Sequence, residues 1–583
     1  MDNKKENKIP PPIYPNLEDW PIYKLSEDRK NFVQEIDEYT CERLMDQKTA
    51  KVSDLISKTI YKERIRIKEE PWKVDPPKDR QFWKNISRQH VRKTLDRSEE
   101  EATTSNRELL YKIVNRYSEE IVGTFRIKTF AFAQKFLNVF FTRLLNTAAL
   151  RSITGLWRSK HRLSEKMKVV GDVDTIRSLF DKGTVVVVPT HFSNLDSILV
   201  GYAMDTYVGL PSFSYGAGLN LYNTGYTAYF MNRLGAYRVD RRKKNGIYLE
   251  TLKAMSMLSI KRGVNSLFFP GGTRSRSGKL EEKLKLGLLG TTVEAQRAIY
   301  QEGRDEKVFI VPLVLGYHFV LEAEFLIEQH LKYIGKEQYL KAKDSFYSPT
   351  RLIKFAWKIL SQGNDITLSF GQPMDVMGNK VDAEGNSYDL HDRAVDLKEY
   401  FMNEQGEVNK DLQREGEYTG LLGERIVERY HKDNIVLTSH LVAFAAFRLL
   451  EQQNSKLDLY GILRLPEEEY IFPKEILGDV INQLRERLIA METLGQIKLS
   501  PQIHESVDYI LKDGIRRLGN FHVAIPLYYD KKERIASKSF KVLYYYHNRL
   551  DTYGLHRYID WKNIGEEALL LEEELWSQEG RLE

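Results

Sequence analysis

Cysteine is nearly absent: Cys41 stands alone among 583 residues. That excludes an intramolecular disulfide and any cysteine-built metal site, and it fits a reducing compartment. Long apolar runs are missing too. None approaches the roughly 18 residues that mark a membrane-spanning helix. The opening Met-Asp-Asn-Lys-Lys-Glu-Asn-Lys lacks the apolar core of a secretory signal. A soluble or peripheral protein is expected, not an integral one. No internal repeat is visible. Neither sign of charge dominates: 88 basic against 82 acidic side chains leave a net +6. So mild an excess suits an anionic partner without naming it. The hydrophobic fraction of 42% and charged fraction of 29% are those of a folded chain. Its length predicts several domains.

Acid is missing from one stretch altogether. Residues 121–164 hold no Asp or Glu, yet carry Arg126, Lys128, Lys135, Arg143, Arg151, Arg158, Lys160 and Arg162. Ala133, Phe136, Leu137, Phe140, Leu144 and Ala148 recur among them at helical spacing. A basic amphipathic helix with aromatics is what an anionic membrane surface attracts. The same face would equally serve to pack on a neighbouring domain. Basic residues interleaved with aromatics also occur in nucleic-acid binders, but no recognition motif accompanies them and no nucleic-acid partner is expected.

Four regions follow from these shifts. Residues 1–104 are polar, with proline breaks at Pro10–Pro15 and Pro71–Pro77, and read as short helices behind a tail of about 15 residues. Residues 105–165 form the basic helical segment. Residues 166–376 alternate short apolar strands (184–188, 266–269, 308–315, 366–370) with helices (193–203, 246–258), the pattern of a layered α/β domain. Residues 377–583 open on a polar loop, 377–387, and continue mainly helical. There 440–450 and 476–494 read as amphipathic helices, and 521–546 as a small β unit.

The candidate chemistry lies at residues 185–200. A buried valine strand stops at Pro189, His191 follows, and a helix then begins, with Ser193 placed to cap it and Asp196 three residues later as the acid of a capping box. The spacing alone is weak: with 12 histidines, about 0.7 such pairs are expected by chance. A second pair, His391 and Asp396, stands in a polar segment with no strand before it. His191 has the better setting, because ligands gather at strand C-termini beside helix N-termini in α/β folds. A neutral imidazole there can take a proton from an attacking alcohol. A carboxylate on its other nitrogen fixes the tautomer, and helix N–H groups nearby can hold an oxyanion. Read by itself, the segment fits equally a capped helix and a satisfied loop histidine.

Three further blocks follow in order: Gly-Ala-Tyr-Arg-Val-Asp-Arg-Arg-Lys-Lys (235–244), Phe-Phe-Pro-Gly-Gly-Thr-Arg-Ser-Arg-Ser-Gly-Lys (268–279) and Val-Pro-Leu-Val-Leu-Gly-Tyr-His-Phe-Val-Leu-Glu (311–322). Arginines beside glycines suit a phosphate approached by backbone. With His191 and Asp196, the set resembles the glycerolipid acyltransferase family over roughly residues 165–375, most closely its bacterial-type glycerol-3-phosphate branch.

The resemblance implies an α/β acyltransferase domain over 166–376, with a mixed sheet flanked by helices. It implies His191 as general base with Asp196 as its partner, and Arg241, Arg242, Gly272, Thr273, Arg274, Ser275, Arg276 and Pro312 in substrate binding. The implied reaction takes an acyl group from acyl-CoA or acyl-acyl carrier protein to the sn-1 hydroxyl of glycerol 3-phosphate, with no metal or other cofactor. Peripheral attachment at the cytoplasmic face of the inner or plasma membrane goes with it, and the basic surface would serve an anionic membrane or an acyl carrier protein. Two positions depart from the family pattern: Gly271 stands where glutamate is usual, and Asp240 where arginine is frequent. They keep open lysophosphatidate or dihydroxyacetone phosphate as acceptor, and a non-catalytic lipid- or phosphate-binding role.

Overall fold

A computed structural model of the protein describes residues 10–93, 99–137, 167–194, 196–222, 225–334, 366–467, 470–518, 522–562 and 564. Its centre is a seven-stranded sheet of β1 (Met167–Val170), β2 (Gly183–Pro189), β3 (Ser214–Gly218), β4 (Ala236–Val239), β5 (Ser266–Leu267), β6 (Lys307–Tyr317) and β7 (Ile366–Phe370). The order is β1-β7-β6-β2-β5-β3-β4. All neighbours are parallel except β6 and β7. The sheet is therefore mixed and flanked by helices, the α/β fold expected. β2 lies in the middle, and its Val185–Val188 run is fully buried. Strands covered on both faces need such unbroken β-branched runs, which is why this one was readable.

The N-terminal helices are longer than the short ones expected. Arg29–Met45, Thr49–Glu69, Asp79–Lys93 and Glu99–Ile121 have 17, 21, 15 and 23 residues. The last runs straight through the boundary drawn at 104/105. Several pack on Gly246–Lys261, the helix after β4. Asn245 fastens the junction: its side-chain oxygen caps that helix at Tyr248, while Nδ2 donates to Glu63 and to the Tyr117 hydroxyl, both at 3.0 Å. Residues 10–15 are not a loose tail, since the Ile13 N–H donates to the Gly209 carbonyl and Arg177 donates to that of Pro11. Of the basic stretch, residues 127–137 are helical. Arg143, Arg151, Arg158, Lys160, Arg162, Phe140, Leu144 and Ala148 lie outside the described residues.

Beyond the main sheet, the polar segment expected as a loop pairs as a small antiparallel sheet of 380–381, 387–388 and 394–395. A strand thus precedes His391 after all, but His391 and Asp396 act separately. The His391 N–H donates to Asp389, and Asp396 caps Leu397–Phe401. Thr438–Gln453 is buried nearly all round rather than amphipathic, the mark of a central helix. Within 521–546, two-residue strands pair at 528–529 and 535–536, but Phe540–His547 is a helix. One continuous apolar core runs from Phe32 to Ile564. The C-terminal region is thereby packed directly onto the sheet end that carries His191, with the Tyr430 hydroxyl donating to the Val188 carbonyl at 2.8 Å.

Candidate active site

The ladder between β2 and β6 continues one residue past Pro189: the Thr190 N–H donates to Leu313, and the Thr190 hydroxyl accepts from Leu315 N–H. His191 then turns off the strand end. Its Nδ1 lies 2.8 Å from Asp196 Oδ2, and its ring stacks on Phe269 with centroids 4.2 Å apart. The imidazole is partly exposed, 18%, while Asp196 is fully buried. An ionised carboxylate makes Nδ1 the protonated nitrogen, and Nε2 has no hydrogen-bond partner among the described residues.

Asp196 begins the helix Asp196–Ala203. Half of the expected capping box forms: Oδ2 accepts from the Ser193 N–H at 2.9 Å, and also from that of Phe192 at 2.7 Å. In the other half the Asp196 N–H donates to the Ser193 carbonyl, and the Ser193 hydroxyl donates to Glu322. Tyr317, at the end of β6, donates to Asp196 Oδ1 at 2.6 Å.

The neighbouring N–H groups have carboxylate acceptors as well. That of His191 donates to Glu281 Oε1 at 3.0 Å, and that of Asn194 to Glu322 Oε1 at 3.1 Å. The N–H groups of 191 to 194 are thus all engaged by Glu281, Asp196 and Glu322. These four N–H groups are not available to hold an oxyanion. Buried carboxylates this dense need compensation. Arg274 lies 3.3 Å from Glu322. Arg549, stacked on Phe192 at 4.1 Å and donating to the Leu315 carbonyl, is buried enough to be pulled down to about 10. Burial raises Glu322, and pushes the Glu281 carboxyl up to about 7.

The third block folds over His191, whose carbonyl accepts the Ser275 N–H at 2.7 Å. Ser275 Oγ holds the loop by donating to the Lys279 carbonyl. Gly272 has φ +77°, a left-handed position where a Cβ is disfavoured. Thr273 is half-buried in the same turn, exposed Lys285 lies against Gly272, and Arg276 is exposed further along the loop. Arg241 joins the second block to this turn by donating to the Gly272 carbonyl. Arg242 does not. Asp240 draws it the other way, and its guanidinium binds Asp240, Asp75 and the Glu70 carbonyl against the N-terminal helices. Pro312 pairs with Val188 inside the sheet and is buried. From the fourth block it is Tyr317 and Glu322 that reach the histidine loop.

The family model described as acyltransferase matches residues 166–316. The chain carries an acyltransferase domain. Curated relatives, each named glycerol-3-phosphate acyltransferase, include proteins of Pseudoalteromonas atlantica (28% identical over 40% of this chain and 26% of the relative), Haemophilus ducreyi (30% over 36% and 24%) and Aeromonas hydrophila (27% over 45% and 28%). The family found is the one the four blocks resemble. The match spans about a quarter of each relative's length.

Of the residues around His191, Tyr317 and Glu322 stood within a block already singled out. Glu281 and Arg549 had no signal, one lying past the third block and the other close to the far end of the chain. Glu281 has a measurable consequence. Its folded-state pKa of about 7 exceeds the usual 4.5, so the folded protein holds this proton more tightly than the unfolded chain. The stability it contributes is present below about 4.5 and is lost as pH rises through about 7. The melting temperature of the wild type relative to Glu281→Gln is therefore expected to fall across that window. A difference that stays flat with pH would show that Glu281 does not titrate there.

Proposed function

We propose that the protein transfers a fatty acyl group from acyl-CoA or acyl-acyl carrier protein to the sn-1 hydroxyl of glycerol 3-phosphate, with His191 as general base. The observation that carries this reading is the His191–Asp196 pair at 2.8 Å, set under an arginine-glycine turn. The acceptor hydroxyl loses its proton to Nε2 as its oxygen attacks the thioester carbonyl. Asp196, on Nδ1, stabilises the imidazolium that forms. The tetrahedral intermediate then collapses, the C–S bond breaks, and the imidazolium returns its proton to the departing thiolate. The reading asks no metal or prosthetic group of the protein. Arg241 and Lys285 flank the turn of Gly272, and together suit the acceptor's phosphate.

An apolar cavity of about 150 Å³ lies beside the helix that Asp196 starts, lined in part by Phe130, Leu137, Ile198, Gly201, Tyr202 and Leu267. It suits part of the acyl chain. Added carbon at Gly201 meets nothing within 4 Å, so the first carbon of a side chain there enters open space.

Residues 127–137 cover this cavity with one face and expose Lys128, Phe132, Lys135 and Phe136 on another. No helix among the described residues is long and apolar enough to cross a membrane. Exposed lysines alternating with aromatics favour an anionic lipid surface, and with it a peripheral place at the cytoplasmic face of the membrane.

The direct test is an acceptor panel with labelled acyl-CoA and acyl-acyl carrier protein. Acylation of glycerol 3-phosphate in preference to lysophosphatidate and dihydroxyacetone phosphate is expected. Preference for either alternative overturns the acceptor, and vesicle binding with no product from any acceptor overturns the enzyme reading. Gly201→Phe is expected to move donor preference toward shorter chains in the same assay; an unchanged chain-length profile removes the cavity from the acyl path. Each lysine near an anionic surface contributes about 1 kcal/mol. Lys128→Glu with Lys135→Glu should therefore lower partitioning to anionic vesicles by about 30-fold or more. Unchanged co-sedimentation counts against the surface.

A further inference from the structure

The peptide groups on either side of His191 are held by one loop. Its N–H donates to Glu281 Oε1 at 3.0 Å, and its carbonyl accepts from the Ser275 N–H at 2.7 Å. Both partners belong to the segment between β5 and the helix Leu286–Gln301, the segment that also carries the glycine-arginine turn. Of the three carboxylates engaging the N–H groups of 191 to 194, Glu281 alone comes from that segment. Its place depends on a missing side chain. A Cβ at Gly271 would stand 3.1 Å from both Cγ and Oε1 of Glu281, inside ordinary contact, so glycine at 271 makes room for the carboxylate. Glu281 Oε2 is buried with no hydrogen-bond partner among the described residues. Leaving such an oxygen unsatisfied is costly, and a role in packing alone does not account for keeping it.

We propose that Glu281 is a positioning residue for His191: its carboxylate fixes the turn that aims the base, and it occupies the space that Gly271 leaves empty. The proposal rests on the acyltransferase reading above. It assigns to Glu281 the coupling between the base and the loop proposed to bind the acceptor, since the same segment grips His191 and carries the arginines. Glu281 does not touch the reacting atoms and acts only through His191.

The test uses the full chain and whichever acceptor the wild type turns over best. Misplacing a catalytic group by about 1 Å can cost about 100-fold. Glu281→Ala should therefore lower kcat between about 10- and 100-fold, with acceptor KM within about threefold. Glu281→Gln keeps an acceptor oxygen for the His191 N–H and should hold kcat within about threefold of wild type. Gly271→Glu alone crowds two carboxylates and should lose activity. Gly271→Glu combined with Glu281→Ala returns a carboxylate to the same space from the other side, and should recover kcat about tenfold over Glu281→Ala.

Unchanged kcat in Glu281→Ala, an effect confined to KM, a glutamine variant as impaired as the alanine one, or no recovery in the swap each overturns the proposal. If Glu281→Ala does not fold, the glutamine variant and the swap carry the test. A second readout is independent of turnover: the deshielded Nδ1–H proton resonance of His191, assigned by its loss in His191→Ala. It should shift or broaden in Glu281→Ala and return in the swap, and an unmoved resonance overturns the proposal. If the wild type acylates no acceptor, the function reading fails, while this resonance still decides the role of Glu281.

Discussion

A single buried carboxylate organises this protein's proposed chemistry. Asp196 has no exposed surface, and its two oxygens accept from the His191 ring, from the N–H groups of Phe192 and Ser193, and from the Tyr317 hydroxyl. Four donors hold an ion inside a protein at bearable cost, where a partly satisfied carboxylate would not remain. Each donor also fixes something. The imidazole tautomer, the turn that leaves β2, and the end of β6 are all set by the same group. The rest of the site is built around keeping that group in register.

Glu281 and Glu322 extend the principle to the flanking N–H groups, and buried Arg549 and partly buried Arg274 offset the accumulated charge. Three segments far apart in sequence therefore meet at one turn: the loop after β5, the end of β6, and the helix Phe540–His547 with the residues just beyond it. The continuous core from Phe32 to Ile564 explains how they can. The N-terminal helices have their own part. By drawing Arg242 toward Asp75 and Glu70, they leave Arg241 as the second block's link to the glycine turn.

Much of this was legible in the sequence for identifiable reasons. Strands buried on both faces show as short, largely apolar runs, and β2, β6 and β7 have them, β2 as unbroken valine. The His191–Asp196 pair was readable because its members sit at a strand end and a helix start, five positions apart. What escaped follows from burial and distance. Residues 440–450 were read as two-faced, yet they are buried nearly all round, which periodicity cannot report. The Ser193 hydroxyl donates to Glu322, distant in sequence, a bond that no local pattern reports. Arg242 and Arg241 look alike in a run of four basic residues, and only the neighbouring Asp240 separates their directions. Glu281 fills space beside Gly271, and no local pattern links a glycine to a carboxylate ten residues on.

The central claim is that Asp196 acts by holding His191 in place and stabilising its charged form. Steady-state kinetics of Asp196→Asn, with folding monitored alongside, test it most directly. The asparagine keeps the shape but loses the negative charge and presents a donor where donors already converge. The account predicts a fall in kcat of about 1000-fold or more, with acceptor KM little changed. Near-normal turnover by a folded Asp196→Asn protein would contradict it.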